Sequence, residues 1–150
     1  MTARRWALGA VEVLRALGPM VAVEVLLRTT DLPTTCRRLG VAHDLTAPAA
    51  PARATTDPIS RAGPTAVLPR RTRRVVRACA LVVAHWPAGD TCLRRCLLTG
   101  HRLRGLGPVL RIGVRRTGDG RFSAHSWLEV DGRPLDPAAG AFAALGAARP

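Results

Sequence analysis

Apolar side chains recur at three- and four-residue spacing between residues 3 and 28, at Leu8, Val11, Val13, Leu14, Leu17, Val21, Val25 and Leu26. That is the period of a helix with a face turned toward a core. Gly18-Pro19 interrupts it. A proline has no N–H for the helical ladder and crowds the preceding turn, so two core-forming helices are expected rather than one. Thr30-Asp31-Leu32-Pro33 has the form of a turn and helix start, leading into a short helix over 34–39 that Gly40 ends. Residues 66–86 form a basic amphipathic helix, apolar at Val75, Val76, Cys79, Ala80, Val82 and Val83, and Trp86-Pro87-Ala88-Gly89 closes it. A further helix opens at Asp90-Thr91, runs through Cys92 to about Leu103 and stops at Gly105.

Beyond that point the period changes from helical to alternating. Over 109–116, Leu110, Ile112 and Val114 point to one side, Arg111 and Arg115 to the other. Thr117-Gly118-Asp119-Gly120 reads as a turn, 122–130 as a second strand, Asp131-Gly132 as a hairpin turn and 133–136 as the return strand. Helices followed by an antiparallel meander predict an α+β fold, with N-terminal helices and a cysteine-bearing helix packed on a small antiparallel sheet. No internal repeat is visible. Residues 47–64 are almost all Ala, Pro, Thr, Ser and Arg, the composition of a linker or mobile loop. With 150 residues there is room for one core. The expected organisation is a single domain, 1–150, with a helical part at 1–46, a flexible linker or loop at 47–65 and a catalytic core at 66–150.

Composition changes the picture in two ways. All 23 basic residues are arginine, against 10 acidic ones, and Lys, Asn, Gln and Tyr are absent. A GC-rich coding sequence accounts for this, yet it restricts chemistry. No lysine can form a Schiff base, and no side-chain amide can assist a nucleophile. A third catalytic member must be Asp or Glu, and an oxyanion must be held by backbone N–H, a hydroxyl, Arg or His. With a net charge of +13 but only 3% aromatic residues, the chain lacks a base-stacking surface, and no nucleic-acid partner is expected. Arg70, Arg71, Arg73, Arg74 and Arg77 look like a solvated helix face, and attraction of an acidic peptide stays open.

No transmembrane segment is expected. The longest uncharged stretch near the start, 16–23, contains Pro19 and falls far below the ~18 apolar residues a spanning helix needs. The apolar run after Arg4 and Arg5 is cut by Glu12 with no convincing cleavage site after it. A reducing, cytoplasmic setting follows, without a disulfide framework for Cys36, Cys79, Cys92 and Cys96. Peripheral membrane contact through the first helix is the lesser alternative. No cofactor is expected, and no metal, since Cys92, Cys96 and His101 match no common tetrahedral spacing.

The candidate chemistry lies in the second half. A nucleophilic thiol must reach its thiolate form, and the unpaired N–H groups and dipole of a helix N-terminus favour that. With Asp90 or Thr91 as N-cap, Cys92 falls in the first turn, whereas Cys96 lies a turn deeper and suits the core. Asp-Gly is a strong signal for a two-residue type I′ turn. With Asp131-Gly132 as that turn, Val130 faces Arg133, Glu129 faces Pro134 and Trp127 faces Asp136. Alternation then puts His125 on the same side as Trp127, diagonal to Asp136 and within side-chain reach. The Cys92 helix start packed on that side makes a Cys–His–Asp group. The plainer alternative is a core histidine and a strand-ending aspartate.

Taken together, Cys92-Leu93-Arg94-Arg95-Cys96-Leu97-Leu98, Ile112-Gly113-Val114-Arg115, Ala124-His125-Ser126-Trp127, Asp131-Gly132 and Leu135-Asp136 resemble the lasso-peptide biosynthesis B-type leader peptidases. These are stand-alone cysteine proteases of the transglutaminase-like, papain-like superfamily. The match covers roughly 70–136, and the first third is similar only in character. The resemblance implies Cys92 as nucleophile, His125 as base and Asp136 as third member. It also implies removal of the leader from a ribosomally made lasso-peptide precursor. A small leader-recognition protein would be the partner, and an ATP-dependent lasso cyclase a further one. Cys96 stands where the family commonly has serine or another small residue. A non-catalytic scaffold of a maturation complex and an acyltransferase or transglutaminase on the same fold are the competing readings.

Overall fold

The protein is seen in a computed structural model that describes residues 2–44, 65–118 and 120–145, with side chains from residue 7 onward. The expected linker, 47–65, lies outside the described residues except for residue 65, as does Asp119 of the first turn. The described residues include four α-helices: α1 at Thr2–Thr29, α2 at Leu32–Leu39, α3 at Arg70–Ala84 and α4 at Cys92–Arg102. The strands are β1 at Ala42–His43, β2 at Val109–Arg116, β3 at Phe122–Val130, β4 at Arg133–Pro134 and β5 at Ala143–Ala144.

One long helix replaces the two expected at the N-terminus, because α1 runs unbroken through Gly18-Pro19. Ala16, Met20 and Val23 are fully buried and straddle the proline, so packing on α3 and α4 holds both halves in line. Arg15, whose carbonyl loses its N–H donor to Pro19, is an exposed residue, and water can satisfy that oxygen. The inward face also differs from the expected one. Val13, Leu26 and Leu27 pack on the core, while Leu8, Val11, Leu14, Leu17, Val21 and Val25 remain exposed, Leu14 at 67%. The helix is apolar around most of its circumference, so spacing alone cannot choose a face. Its two carboxylates do choose. Glu24 Oε2 accepts from Arg94 Nε at 2.9 Å, and Glu12 Oε2 accepts from Arg102 Nη2 at 2.6 Å, bracing α1 against both ends of α4.

The other helices follow their local signals closely. Asp31 caps α2, its carboxylate accepting from the Thr34 N–H, and Gly40 ends it with φ of 67°. α3 starts four residues later than expected. Residues 66–69 are not helical, and the Ala66 N–H donates to the Pro134 carbonyl at 3.0 Å. Pro69 explains the shift, since a residue before proline is driven away from helical backbone and proline itself tolerates a helix start. Thr91 caps α4, its hydroxyl accepting from the Arg94 N–H at 3.3 Å. The chain continues past α4 as a 3-10 turn, Arg104–Leu106, and runs through Gly105 to end at Gly107.

β2, β3 and β4 form the expected antiparallel meander. The sheet is nevertheless mixed, because β1 pairs with β2 in parallel and β5 joins β2 antiparallel at Gly113 and Val114. Strands of two residues carry no readable period, so neither pairing shows in the sequence. Leu110 and Leu128 on one face meet Met20, Cys36, Cys79, Val83, Leu97 and Leu98 in the main core. On the opposite face Trp127, Ala139, Ala144 and Phe142 make a smaller cluster. α4 packs on the Leu128 face, not on the side bearing His125. Among the described residues, no helix is long and apolar enough to cross a membrane.

Two predictions follow from this packing. Hydrogen bonding to Arg94 lowers the pKa of Glu24 below its ordinary 4.5, so the stability it lends is complete above pH 4.5 and fades as pH falls through the depressed value. Glu24→Gln should therefore lower the melting temperature at pH 7, with the gap to the natural protein closing in acid; a gap independent of pH in thermal melts would refute the brace. At Gly113 an added Cβ would stand 2.8 Å from the Ala143 carbonyl oxygen and 2.8 Å from the Trp127 ring. Gly113→Ala should cost about 1–3 kcal/mol in urea unfolding.

Candidate active site

The hairpin sets the first half of the site. Asp131 has φ of 52° and Gly132 φ of 70°, both in the left-handed region that a type I′ turn demands. Val130 then pairs with Arg133 and Glu129 with Pro134, as the spacing predicts, and the Leu135 N–H donates to the Leu128 carbonyl at 2.8 Å. The return strand is shorter than the expected 133–136, because Asp136 leaves it to cap a 3-10 turn at Pro137–Ala141. Its carboxylate divides its two oxygens: Oδ1 accepts from the Ala138 N–H at 2.9 Å, and Oδ2 lies 2.8 Å from His125 Nε2.

The imidazole is held on its faces as well. The Phe142 ring centroid stands 4.9 Å from that of His125, and Trp127 stacks near it at 6.3 Å. Arg115 lies over Phe142, 4.8 Å from the ring centroid. Trp127 is fixed through its indole N–H, which donates to Glu129 Oε1 at 3.1 Å, while Glu129 Oε2 accepts from Arg111. Gly113, directly across the ladder from His125, leaves the space that Trp127 and β5 occupy. With Nε2 turned to the carboxylate, Nδ1 is the ring nitrogen left for a substrate or thiol proton.

The four cysteines are free thiols and differ sharply in surroundings. Cys92 is the first residue of α4 and partly exposed, at the helix end whose N–H groups have no intrahelical acceptor. Cys96 is buried a turn further along, its Sγ donating to the Ser126 carbonyl at 3.3 Å, and burial pushes its pKa up to about 12. Burial likewise raises Cys36 and Cys79 to about 11. A cavity of about 270 Å³ joins Cys92 to His125 and Asp136, with Val76 and Ala80 of α3 forming one wall and Leu135 and Pro137 another. Because α4 and His125 belong to opposite faces of the sheet, this cleft opens at the sheet edge, where β4 ends after two residues. The shortness of β4 is thus what allows the three groups to share one cavity.

His101, at the far end of α4, is engaged with the Leu39 carbonyl at 2.9 Å. Among the described residues, no three His, Cys, Asp or Glu side chains are placed to share a metal ion. Spacing brings Cys92, His125 and Asp136 to view but misses Phe142, the 3-10 turn and the demand on Gly113. Asp136-Pro137 is a helix-start signature that marks the turn, and the aspartate's capping role with it.

The family model described as the transglutaminase-like superfamily matches residues 20–145. No curated protein and no solved structure matches the chain significantly. The matched span begins at the buried Met20 of α1 and ends just past β5, so it includes the cysteine-bearing helix, the meander and the His125–Asp136 pair. The chain belongs to the transglutaminase-like superfamily.

Proposed function

We propose that the protein is a cysteine peptidase, with Cys92 as nucleophile, His125 as general base and acid, and Asp136 as the group that orients the imidazole. The observation that carries this reading is the 2.8 Å His125–Asp136 contact on the same cleft as the partly exposed thiol of Cys92. The Cys92 sulfur attacks a peptide carbonyl carbon after its proton passes to His125 Nδ1. The resulting imidazolium is stabilised by the Asp136 carboxylate on Nε2. As the C–N bond breaks, that proton goes to the departing amine, and a thioester remains on Cys92. Water, activated by the neutral imidazole, then hydrolyses the thioester and restores the thiol. The Cys92 N–H, at the unpaired end of α4, is the candidate donor to the oxyanion.

The substrate in this proposal is the leader segment of a ribosomally made lasso-peptide precursor. The motifs around Cys92, Gly113, His125 and Asp136 support that choice, as does superfamily membership, which includes cysteine proteases. A small leader-recognition protein would present the precursor, and an ATP-dependent cyclase would use the freed core peptide.

Mass spectrometry of the precursor, incubated with the protein and the recognition partner, tests the reading. Cys92→Ala should abolish cleavage and Cys96→Ala should retain most of it; equal loss in both would place the nucleophile elsewhere. Asp136→Asn should reduce the rate by about 10²- to 10⁴-fold while leaving the thiol reactive. An added amine should leave the product a free acid; its capture as an amide would indicate acyl transfer instead. One equivalent of iodoacetamide at neutral pH should label Cys92 alone. Cys36, Cys79 and Cys96, protonated until about pH 11 to 12, should react only after unfolding.

A further inference from the structure

Arg15, Arg28, Arg94, Arg95, Arg102 and Arg111 each meet a carboxylate. α3 gathers five arginines that do not. Arg70, Arg71, Arg73, Arg74 and Arg77 are exposed, and none meets a carboxylate among the described residues. Two of them have a particular position. On a helix surface, residues three and four apart are neighbours. Arg73 and Arg77 therefore form a row beside Val76 and Ala80, the two α3 residues that wall the cleft. The cleft's own carboxylate, Asp136, is committed to His125 and to the Ala138 N–H, and Asp90 is paired with Arg95. The α3 lip of the cleft thus carries two cationic side chains that meet no carboxylate among the described residues, on a chain of net charge +13.

We infer that Arg73 and Arg77 are a specificity element of the cleft, taking acidic side chains of a peptide that lies across Cys92. This rests on the reading of the Cys92 cleft as a peptide-binding site and adds the class of peptide. The interior of the cleft is largely apolar, through Val76, Ala80, Leu135 and Pro137, so it holds the chain without choosing charge. The lip chooses it. A carboxylate reaching the lip replaces water around two guanidinium groups that meet no other carboxylate among the described residues, and a lysine at the same place meets like charge. The field of the whole protein works in the same direction, concentrating acidic peptides at the surface before they dock.

Protection of Cys92 from iodoacetamide provides the test. The probes are a capped decapeptide of alternating Glu and Ala, its Gln–Ala isostere and a Lys–Ala counterpart. At about 20 mM salt the Glu peptide should protect Cys92 at roughly ten-fold lower concentration than the Gln peptide, and the difference should shrink toward nothing at about 0.5 M. Arg73→Ala with Arg77→Ala should erase the Glu–Gln difference, and the double Lys replacement should retain most of it. Arg73→Glu with Arg77→Glu should turn the preference toward the Lys peptide, which a merely unfolded variant could not do. Equal protection by the Glu and Gln peptides, or a Glu preference surviving in the double Ala variant, would overturn the inference. Preference for a single-stranded oligonucleotide over the Glu peptide would overturn it too. If Cys92 itself reacts no faster than the buried thiols with no peptide present, it is the nucleophile assignment that fails.

Discussion

A two-residue turn holds the candidate site together. Side chains alternate along a strand with a period of two, so a hairpin slipped by one residue sends every side chain of the return strand to the other face. With Asp131 and Gly132 both at positive φ, that slip is closed off, and Asp136 arrives on the side of His125. Glycine reaches this backbone without strain, and aspartate tolerates it better than most residues. The carboxylate then needs no further search: one oxygen caps the next turn and the other meets the imidazole. Register, capping and ring orientation are consequences of one turn geometry.

The thiol depends on a different constraint. Its position is that of α4, and α4 is trapped between α1, α3 and the sheet. Glu12 and Glu24 fix α1 to the two ends of α4, and Glu24 reaches Arg94 in the same first turn as Cys92. Arg94 also donates its backbone N–H to the Thr91 hydroxyl, so the brace and the helix cap share one residue. Buried ion pairs are weak evidence of net stability but good devices for choosing one arrangement over another. Here the choice is real, because α1 offers apolar side chains on nearly every face and burial alone would accept several rotations of it.

That contrast explains which parts of the molecule are legible in the sequence. The hairpin, the α4 cap and the α2 stop are written in residues a few places apart, where turn chemistry and period decide the outcome. His125, Asp136 and Cys92 emerge from those local rules. The unbroken course of α1 through Pro19 does not, since it is held by Ala16, Met20 and Val23 packing on helices far away in sequence. β1 and β5 are too short to show a period. Gly113 reads as an ordinary strand glycine until Trp127 and the Ala143 carbonyl are seen against it. The face of the sheet that α4 covers is equally nonlocal. Alternation tells which residues share a side, and only the packing of Leu97 and Leu98 on Leu110 and Leu128 tells what lies on that side.

Four thiols in one chain would confuse any assignment made from residue type, and the fold separates them by solvent. Cys36, Cys79 and Cys96 are enclosed by apolar side chains, which disfavours charge on sulfur and leaves them as compact core residues. Cys92 and Cys96 differ by one helical turn and both line the cleft, yet one is partly exposed at the positive end of α4 and the other is buried with its Sγ bonded to the Ser126 carbonyl. Moving the reactive position from 92 to 96 would place the sulfur where burial disfavours the thiolate. The proposed chemistry is therefore selected by burial as much as by the imidazole. It is the packing of α4, rather than the presence of a cysteine, that makes a nucleophile possible at this site.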